Sequence, residues 1–253
     1  MHNNVHLRTM LTLFPKRIAM QASPKISIVV PVLNEAADLS KSLFALQPLR
    51  ESGVEIIVVD GGSSDSTLLV AHPFADRTLT ASRGRASQMN SGAAQAAGDI
   101  FLFLHADTHL PQDACAQIRQ AFAHGTCWGR FDVRISGSLP GLALVAWMMN
   151  LRSRFTGIAT GDQAIFVTRE AFACVGGFPD IPLMEDIVIS RRLLDIGRPA
   201  CLVSKVLTSG RRWEKHGLWR TVFAMWCLRL RFFFGASPAD LAREYGYVPR
   251  DNQ

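Results

Sequence analysis

Along the first half of the chain, short unbroken apolar runs alternate with stretches of mixed polarity. Ile26–Pro31 is a β-branched run that predicts a strand buried on both faces. Asn34 then reads as a helix N-cap ahead of an amphipathic stretch ending near Leu46. Glu55–Asp60 (EIIVVD) predicts the next buried strand, and Gly61-Gly62-Ser63-Ser64 turns the chain into a short helix. A weaker strand at Thr78–Thr80 leads to a helix over Arg85–Ala97, and Ile100–Leu104 predicts a strand that opens onto His105-Ala106-Asp107. This βαβαβαβ rhythm implies an α/β fold with a mostly parallel central sheet and helices on both faces. The second half is less regular. Strands are expected at Phe131–Ile135 and Ala164–Val167, with the apolar segment Leu139–Leu151 between them, and helices at Asp186–Leu194 and Trp219–Phe234. No repeat, low-complexity tract or linker marks a second domain. The expected organisation is an N-terminal extension over 1–24, one domain over 25–216, and a helical extension over 217–253 packed on it.

Composition narrows the partners. With 253 residues and 48% hydrophobic side chains the chain can bury a full core, which excludes wholesale disorder. The formal charge of +6 favours anionic partners: nucleotide phosphates, acidic lipids or nucleic acid. Aromatic residues are not interleaved with basic ones in a repeated pattern, so nucleic acid is not expected. Five scattered cysteines, none in a CxxC spacing, argue against a zinc site or a disulfide framework and suit a reducing, cytoplasmic compartment. The apolar patch Met10–Phe14, followed by Pro15, Lys16 and Arg17, is shorter than the apolar run of a secretory signal, so a loose N-terminal extension is expected. No stretch approaches the ~20 apolar residues that span a bilayer.

In open parallel sheets, ligands bind beyond the carboxyl ends of the strands. Three polar clusters are expected at such ends: Asn34-Glu35, Asp60-Gly61-Gly62-Ser63 and His105-Ala106-Asp107. Each alone is ordinary turn chemistry. Three converging on one rim make a site the better reading.

The segments IVVPVLNE, VVDGGSSDST, RGRASQMNSGAAQAAGD, LHADT and PLMEDIVISRRL occur in an order and spacing similar to those of family 2 glycosyltransferases. The resemblance runs from Ile26 to Trp213. It implies a GT-A fold, a nucleotide-sugar donor carrying UDP or GDP, a Mg²⁺ or Mn²⁺ ion, and inversion at the anomeric centre. The segments GRFDVR, MMNLRSRFTGIATGDQ and TSGRRWEKHG resemble a bacterial subgroup associated with radical-SAM and selenium-domain proteins, a label that names no substrate.

The resemblance also suggests roles. Asp60 would read the nucleobase, with Pro31, Asn34, Glu35 and Gly62 in the same donor pocket. Arg83 and Arg85 flank Gly84, a loop that lets backbone approach a ligand while guanidinium groups pair with phosphate; the alternative is a solvated charged loop. Asp107 is the metal candidate, since Mg²⁺ and Mn²⁺ take oxygen ligands and such sites use one or two carboxylates plus substrate phosphates. The family's Asp-x-Asp is His105-Ala106-Asp107 here, so only the final carboxylate is kept. His105 either reaches a ribose or phosphate, or is satisfied by backbone at a strand end. By resemblance Asp186 is the general base that takes the acceptor proton, and Glu185 positions or tunes it; the plainer alternative is helix capping. The turn Gly176-Gly177-Phe178-Pro179 would shape the acceptor side, and Gly161, Asp162 and Gln163 would face the donor sugar or acceptor. Arg212 and Trp213 are similar to the Q-x-x-R-W element of processive members, but Ser209 replaces its glutamine, so transfer of a single sugar is expected. His216 either completes the metal shell or is simply solvated.

Trp219–Phe234 mixes arginines with large apolar side chains. It is either an interfacial helix on the inner membrane face beside a lipid-linked acceptor, or a helix packed on the core with its arginines snorkelling outward. The second reading is the more common outcome for such a segment. Leu139–Leu151 is an acceptor-side lid or core. The acceptor itself, small molecule or lipid-linked, is not legible. Two other classes compete. A nucleotidyltransferase making an activated sugar would carry a glycine-rich basic loop after the first strand, where this chain has Pro31-Val32-Leu33-Asn34-Glu35. A non-catalytic protein that binds nucleotide sugars or membranes would bind donor without consuming it.

Overall fold

The computed structural model describes residues 23–247. The expected N-terminal extension, with its patch Met10–Phe14, therefore lies outside the described residues apart from Ser23 and Pro24, as does the chain after Tyr247. The first half follows the expected alternation: β1 (Ile26–Val32), α1 (Ala36–Phe44), α2 (Gln47–Glu51), β2 (Glu55–Asp60), α3 (Thr67–Ala71), β3 (Arg77–Thr80), α4 (Arg85–Gln95) and β4 (Ile100–Phe103). Then come β5 (Thr108–His109), α5 (Ala114–Ala123), β6 (Trp128–Ile135), α6 (Leu142–Thr156), β7 (Phe166–Thr168), α7 (Arg169–Cys174), α8 (Glu185–Leu194) and β8 (Ala200–Thr208). Three helices finish the described chain: α9 (Arg211–His216), α10 (Leu218–Phe233) and α11 (Pro238–Glu244).

The strands form one sheet in the order β3-β2-β1-β4-β7-β6-β8-β5. β3, β2, β1 and β4 are parallel, as their helical crossovers require. Beyond β4 the sheet is mixed: β7 is antiparallel to both β4 and β6, β8 is parallel to β6, and β5 is antiparallel to β8. β1 is the switch point, with β2 on one side and β4 on the other, so a crevice opens beyond its carboxyl end.

Side-chain alternation along the strands builds two core layers. Ile28, Val30, Ile56, Val58, Ile100 and Leu102 face one way, onto Leu39 and Leu43 of α1 and Ile118 of α5. Val29, Ile57, Val59, Phe101 and Phe103 face the other, onto Met89 of α4, Phe172 of α7 and Ile189 of α8. Gly92 of α4 lies so close to this face that a Cβ there would sit 2.4 Å from Val29 and 3.0 Å from Val59. A smaller cluster joins Leu183 and Met184, Leu228 of α10 and Leu241 of α11.

Two sequence expectations are corrected. Asn34 is not the N-cap of α1: Glu35 holds that position, without a side-chain cap, and Asn34 adopts a left-handed φ of 54°. Asparagine tolerates that conformation better than most residues, and its side-chain oxygen accepts from the Ser64 N–H at 2.8 Å, tying the loop after β1 to the loop after β2. The second correction concerns α10: Leu218 and Val222 pack against the core, but its arginines do not all point outward, because Arg229 lines the cavity described below. The helix buries only Thr221 and Leu228, while Trp219, Phe223, Trp226, Leu230 and Phe233 stay between 59% and 73% exposed. Among the described residues, no helix is long and apolar enough to cross a membrane.

Candidate active site

One cavity of about 560 Å³ sits at the switch point. Pro31 and Glu35 enter it from the end of β1, and His105 and Asp107 from the end of β4. Gly161 and Asp162 come from the turn before β7, and Glu185 and Asp186 from the first turn of α8. Residues separated by about 150 positions in sequence thus face one space because three strand ends and one helix start share a rim.

Asp186 is fixed from two sides. One carboxylate oxygen accepts from the Gly161 N–H at 3.0 Å and the other from the Ile187 N–H at 2.7 Å. Gly161 is required for this approach, because a Cβ there would lie 2.4 Å from Nε2 of His105. The His105 ring faces Asp162 at 3.3 Å through Nδ1, so its partner is this carboxylate rather than backbone. Enclosure by the cleft opposes charge on Asp162, but the His105 contact and the charge of Arg85 outweigh it and hold that carboxyl below its ordinary range. Glu185 behaves oppositely. Burial, reinforced by the adjacent Asp186, pushes it up to about 7, although Arg85 pulls the other way. At the other end of the cavity, burial raises Glu35, opposed by Arg211 and reinforced by Asp107.

Arg212 and Trp213 of α9 and Arg85 of α4 also line the cavity. Arg212 lies over the Tyr245 ring at 3.6 Å and donates to the Tyr245 carbonyl at 3.2 Å, which draws the end of α11 across the opening.

The remaining expected site residues lie behind or outside the cavity wall. Asp60 is buried and turned into its own loop, accepting from the Gly62 and Ser63 N–H groups at 2.9 and 2.8 Å and from the Ser63 hydroxyl. Gly62 has a φ of 88°, which makes that return possible. Arg83 lies 6.0 Å from the Tyr247 ring rather than in the cavity wall. Gln163 is buried; its side-chain amide oxygen accepts from the Thr160 N–H at 3.2 Å and so holds the turn that presents Gly161 and Asp162. His216 is exposed at the end of α9 and does not line the cavity with Asp107.

Sequence reasoning missed several contributors. The Gln88 amide donates at 2.8 Å to the carbonyls of both Val32 and Val59, clasping the ends of β1 and β2 where the cavity begins. Arg152 of α6 and Arg229 of α10 line the far wall with Met149, Met225 and Trp226. Their signal was present: at helical spacing, Arg229 falls on the same face as Val222 and Met225, an unusual place for a surface arginine.

An α/β sheet with a parallel half that reverses at its first strand, and a carboxylate-lined cleft at that reversal, defines the GT-A class of fold. Residues 27–167, more than half of the chain, match Glycosyl transferase family 2, and the chain belongs to that family. Among its relatives, the poly-beta-1,6-N-acetyl-D-glucosamine synthase of Staphylococcus aureus is 25% identical over 186 residues, which is 66% of this chain and 45% of that protein. A PGL/p-HBAD biosynthesis glycosyltransferase of Mycobacterium bovis is 38% identical over 96 residues, covering 35% of this chain and 38% of that one. The chain therefore matches less than half the length of each. Among solved structures, the mannosyltransferase PcManGT from Pyrobaculum calidifontis, in complex with GDP-Man and Mn²⁺, aligns with a TM-score of 0.62 at 20% identity over 93% of this chain and 73% of that chain. TarS of S. aureus aligns with a TM-score of 0.56 at 18% identity, over 74% and 60%. At these identities the likeness is one of fold.

Proposed function

We propose that the protein is an inverting glycosyltransferase that moves a single sugar from a UDP- or GDP-sugar to an acceptor hydroxyl, assisted by Mg²⁺ or Mn²⁺. The observation that carries this reading is one cavity with Asp107 and Glu35 at one end and a rigidly held Asp186 in its wall. Structural neighbours support the donor class: PcManGT is described with GDP-Man and Mn²⁺, and TarS with UDP-GlcNAc.

The donor set fits a cation that arrives with its substrate. Among the described residues, no three His, Cys, Asp or Glu side chains form a ready cation cage. Asp107 and Glu35 nevertheless face one space and act on each other electrostatically, which suits a hard ion completed by diphosphate oxygens. An ion held there would stabilise the charge that develops on the departing diphosphate.

Asp186 is the general base in this scheme. Its two backbone donors orient the carboxylate, and it takes the proton from the acceptor hydroxyl as that oxygen bonds to the anomeric carbon. The bond from that carbon to the diphosphate oxygen breaks on the opposite side, which inverts the centre. Arg85 contributes positive charge beside Glu185 and Asp162, and Asp162 and His105 form a fixed polar wall beside the sugar. Asp60 and Asn34 act one step back, as organisers of the loop against which the base would lie.

The acceptor lies on the side of α6 and α10. Leu144, Trp147, Leu151 and Phe155 form an exposed apolar stripe on α6 that matches the one on α10. α10 carries Arg220 and Arg231 at exposed positions and no acidic residue. These features fit peripheral contact with an anionic leaflet from the cytoplasmic side. The deciding experiment is turnover of radiolabelled UDP- and GDP-sugars with Mn²⁺, where slow donor hydrolysis marks a transferase and saturable binding without consumption marks a binder.

A further inference from the structure

The far wall of the cavity holds two arginines with unmet hydrogen-bonding capacity. Nε and Nη2 of Arg152 and Nε of Arg229 are buried without a hydrogen-bond partner. Burial and the nearby Arg229 charge lower Arg152 to about 10, with Asp186 pulling the other way. Two like charges held together are costly where burial and mutual repulsion are offset only by nearby carboxylates, Asp186 for Arg152 and Asp162 for Arg229.

The helices bring them together by construction. A Cβ at Gly141, the residue before α6, would lie 2.6 Å from Leu218, the first residue of α10, so the two helices start side by side. Arg152 lies ten residues beyond Leu142, and Arg229 eleven beyond Leu218. At ~1.5 Å per residue both guanidinium groups reach about the same depth, some 15 Å from that shared start. The faces leading to them carry Val145 and Met149 on α6 and Val222 and Met225 on α10, all lining the cavity. The result is an apolar passage ending in a pair of cations beside the candidate base.

We propose that Arg152 and Arg229 form an acceptor subsite for a phosphate group, so that the sugar is transferred to a hydroxyl of a phosphorylated acceptor. Guanidinium forks match phosphate oxygens in geometry, and an incoming phosphate satisfies the unpaired N–H groups and separates the like charges. The position next to Asp186 assigns this group to the acceptor, because Asp107 and Glu35 occupy the other end. The assignment rests on the cavity being the transfer site. It leaves two sources of phosphate, a lipid phosphate whose chain fills the apolar passage or a soluble phosphorylated metabolite.

The test is calorimetric titration of the purified full chain with decyl phosphate, glycerol 3-phosphate and decanol, alongside UDP with Mn²⁺. At least one phosphate ester is expected to bind more tightly than decanol. Arg152→Gln and Arg229→Gln should each weaken that ester by about tenfold or more while leaving UDP affinity unchanged. Decyl phosphate binding more tightly than glycerol 3-phosphate identifies a lipid source; comparable binding identifies a soluble one. Arg152→Lys, which keeps the charge and loses the fork, should bind with intermediate affinity. Thermal melting without ligand supplies a second readout: either Gln variant should melt higher, by about 2–4 °C. The proposal is overturned if neither ester outbinds decanol, if the Gln variants lose UDP by the same factor, or if they melt lower. If UDP fails to bind while the esters do, the transferase reading falls and the phosphate subsite stands.

Discussion

Glu185 and Asp186 are neighbours in sequence and share the first turn of α8. Glu185 is buried, and its pKa rises from 4.5 to about 7 because burial and the Asp186 charge both penalise ionisation. A carboxyl raised on folding favours the native state fully below its unfolded value and loses that contribution as pH climbs through the folded value. The wild-type protein should therefore lose stability between about pH 4.5 and 7 from this group, by at most ~3 kcal/mol. Glu185→Gln should flatten that part of a melting-temperature profile and be the more stable protein above pH 7. An unchanged slope would show that Glu185 ionises freely. Asp186→Asn addresses chemistry instead: removing a general base should lower transfer by about 10²–10⁴-fold, with donor affinity retained in a binding assay. Turnover close to wild type would move the base elsewhere.

At the scale of elements, the sheet was the legible part of the sequence. β1, β2 and β4 are runs buried on both faces, and periodicity found each to within a residue. β8 was missed because it lies toward the other edge of the sheet, where Ala200–Thr208 mixes buried and exposed positions without a clean alternation. α5 was missed because its short alanine-rich sequence carries little pattern. Of the site, the strand-end residues Glu35, His105 and Asp107 could be found because loop chemistry after a buried strand is visible in one dimension. Arg229 left a trace, an arginine on the apolar face of Val222 and Met225, but its pairing with Arg152 could not be read, since that depends on two helices starting together at Gly141 and Leu218. Two variants test elements directly. Gly92→Ala would press a methyl into Val29 and Val59 and should destabilise the fold by about 1–3 kcal/mol in denaturant melts; a neutral result would mean α4 can move off the sheet cheaply. Trp219→Ser with Phe223→Ser removes two exposed rings outside the cavity. It should abolish co-sedimentation with anionic lipid vesicles while UDP binding persists, and retained sedimentation would place the contact on another surface.

For the whole molecule, the cavity is polar in the sense that its two ends carry opposite charge. The Asp107 and Glu35 end is acidic and suits a cation with a nucleoside diphosphate; the Arg152 and Arg229 end is basic and lies under the two apolar helices. Asp186 stands in the wall between these demands, anchored by Gly161. α11 closes the arrangement through Tyr245 and Arg212, so the C-terminal helices form part of the site wall. The most direct measurement is the affinity of UDP and GDP by titration calorimetry, with Mn²⁺ and with EDTA, for the wild type and Asp107→Ala. One nucleotide is expected to bind tightly with Mn²⁺, to lose at least about tenfold in EDTA, and to lose a similar factor in Asp107→Ala. Binding of neither nucleotide, or binding that is equally strong in EDTA and in Asp107→Ala, would contradict the proposed function.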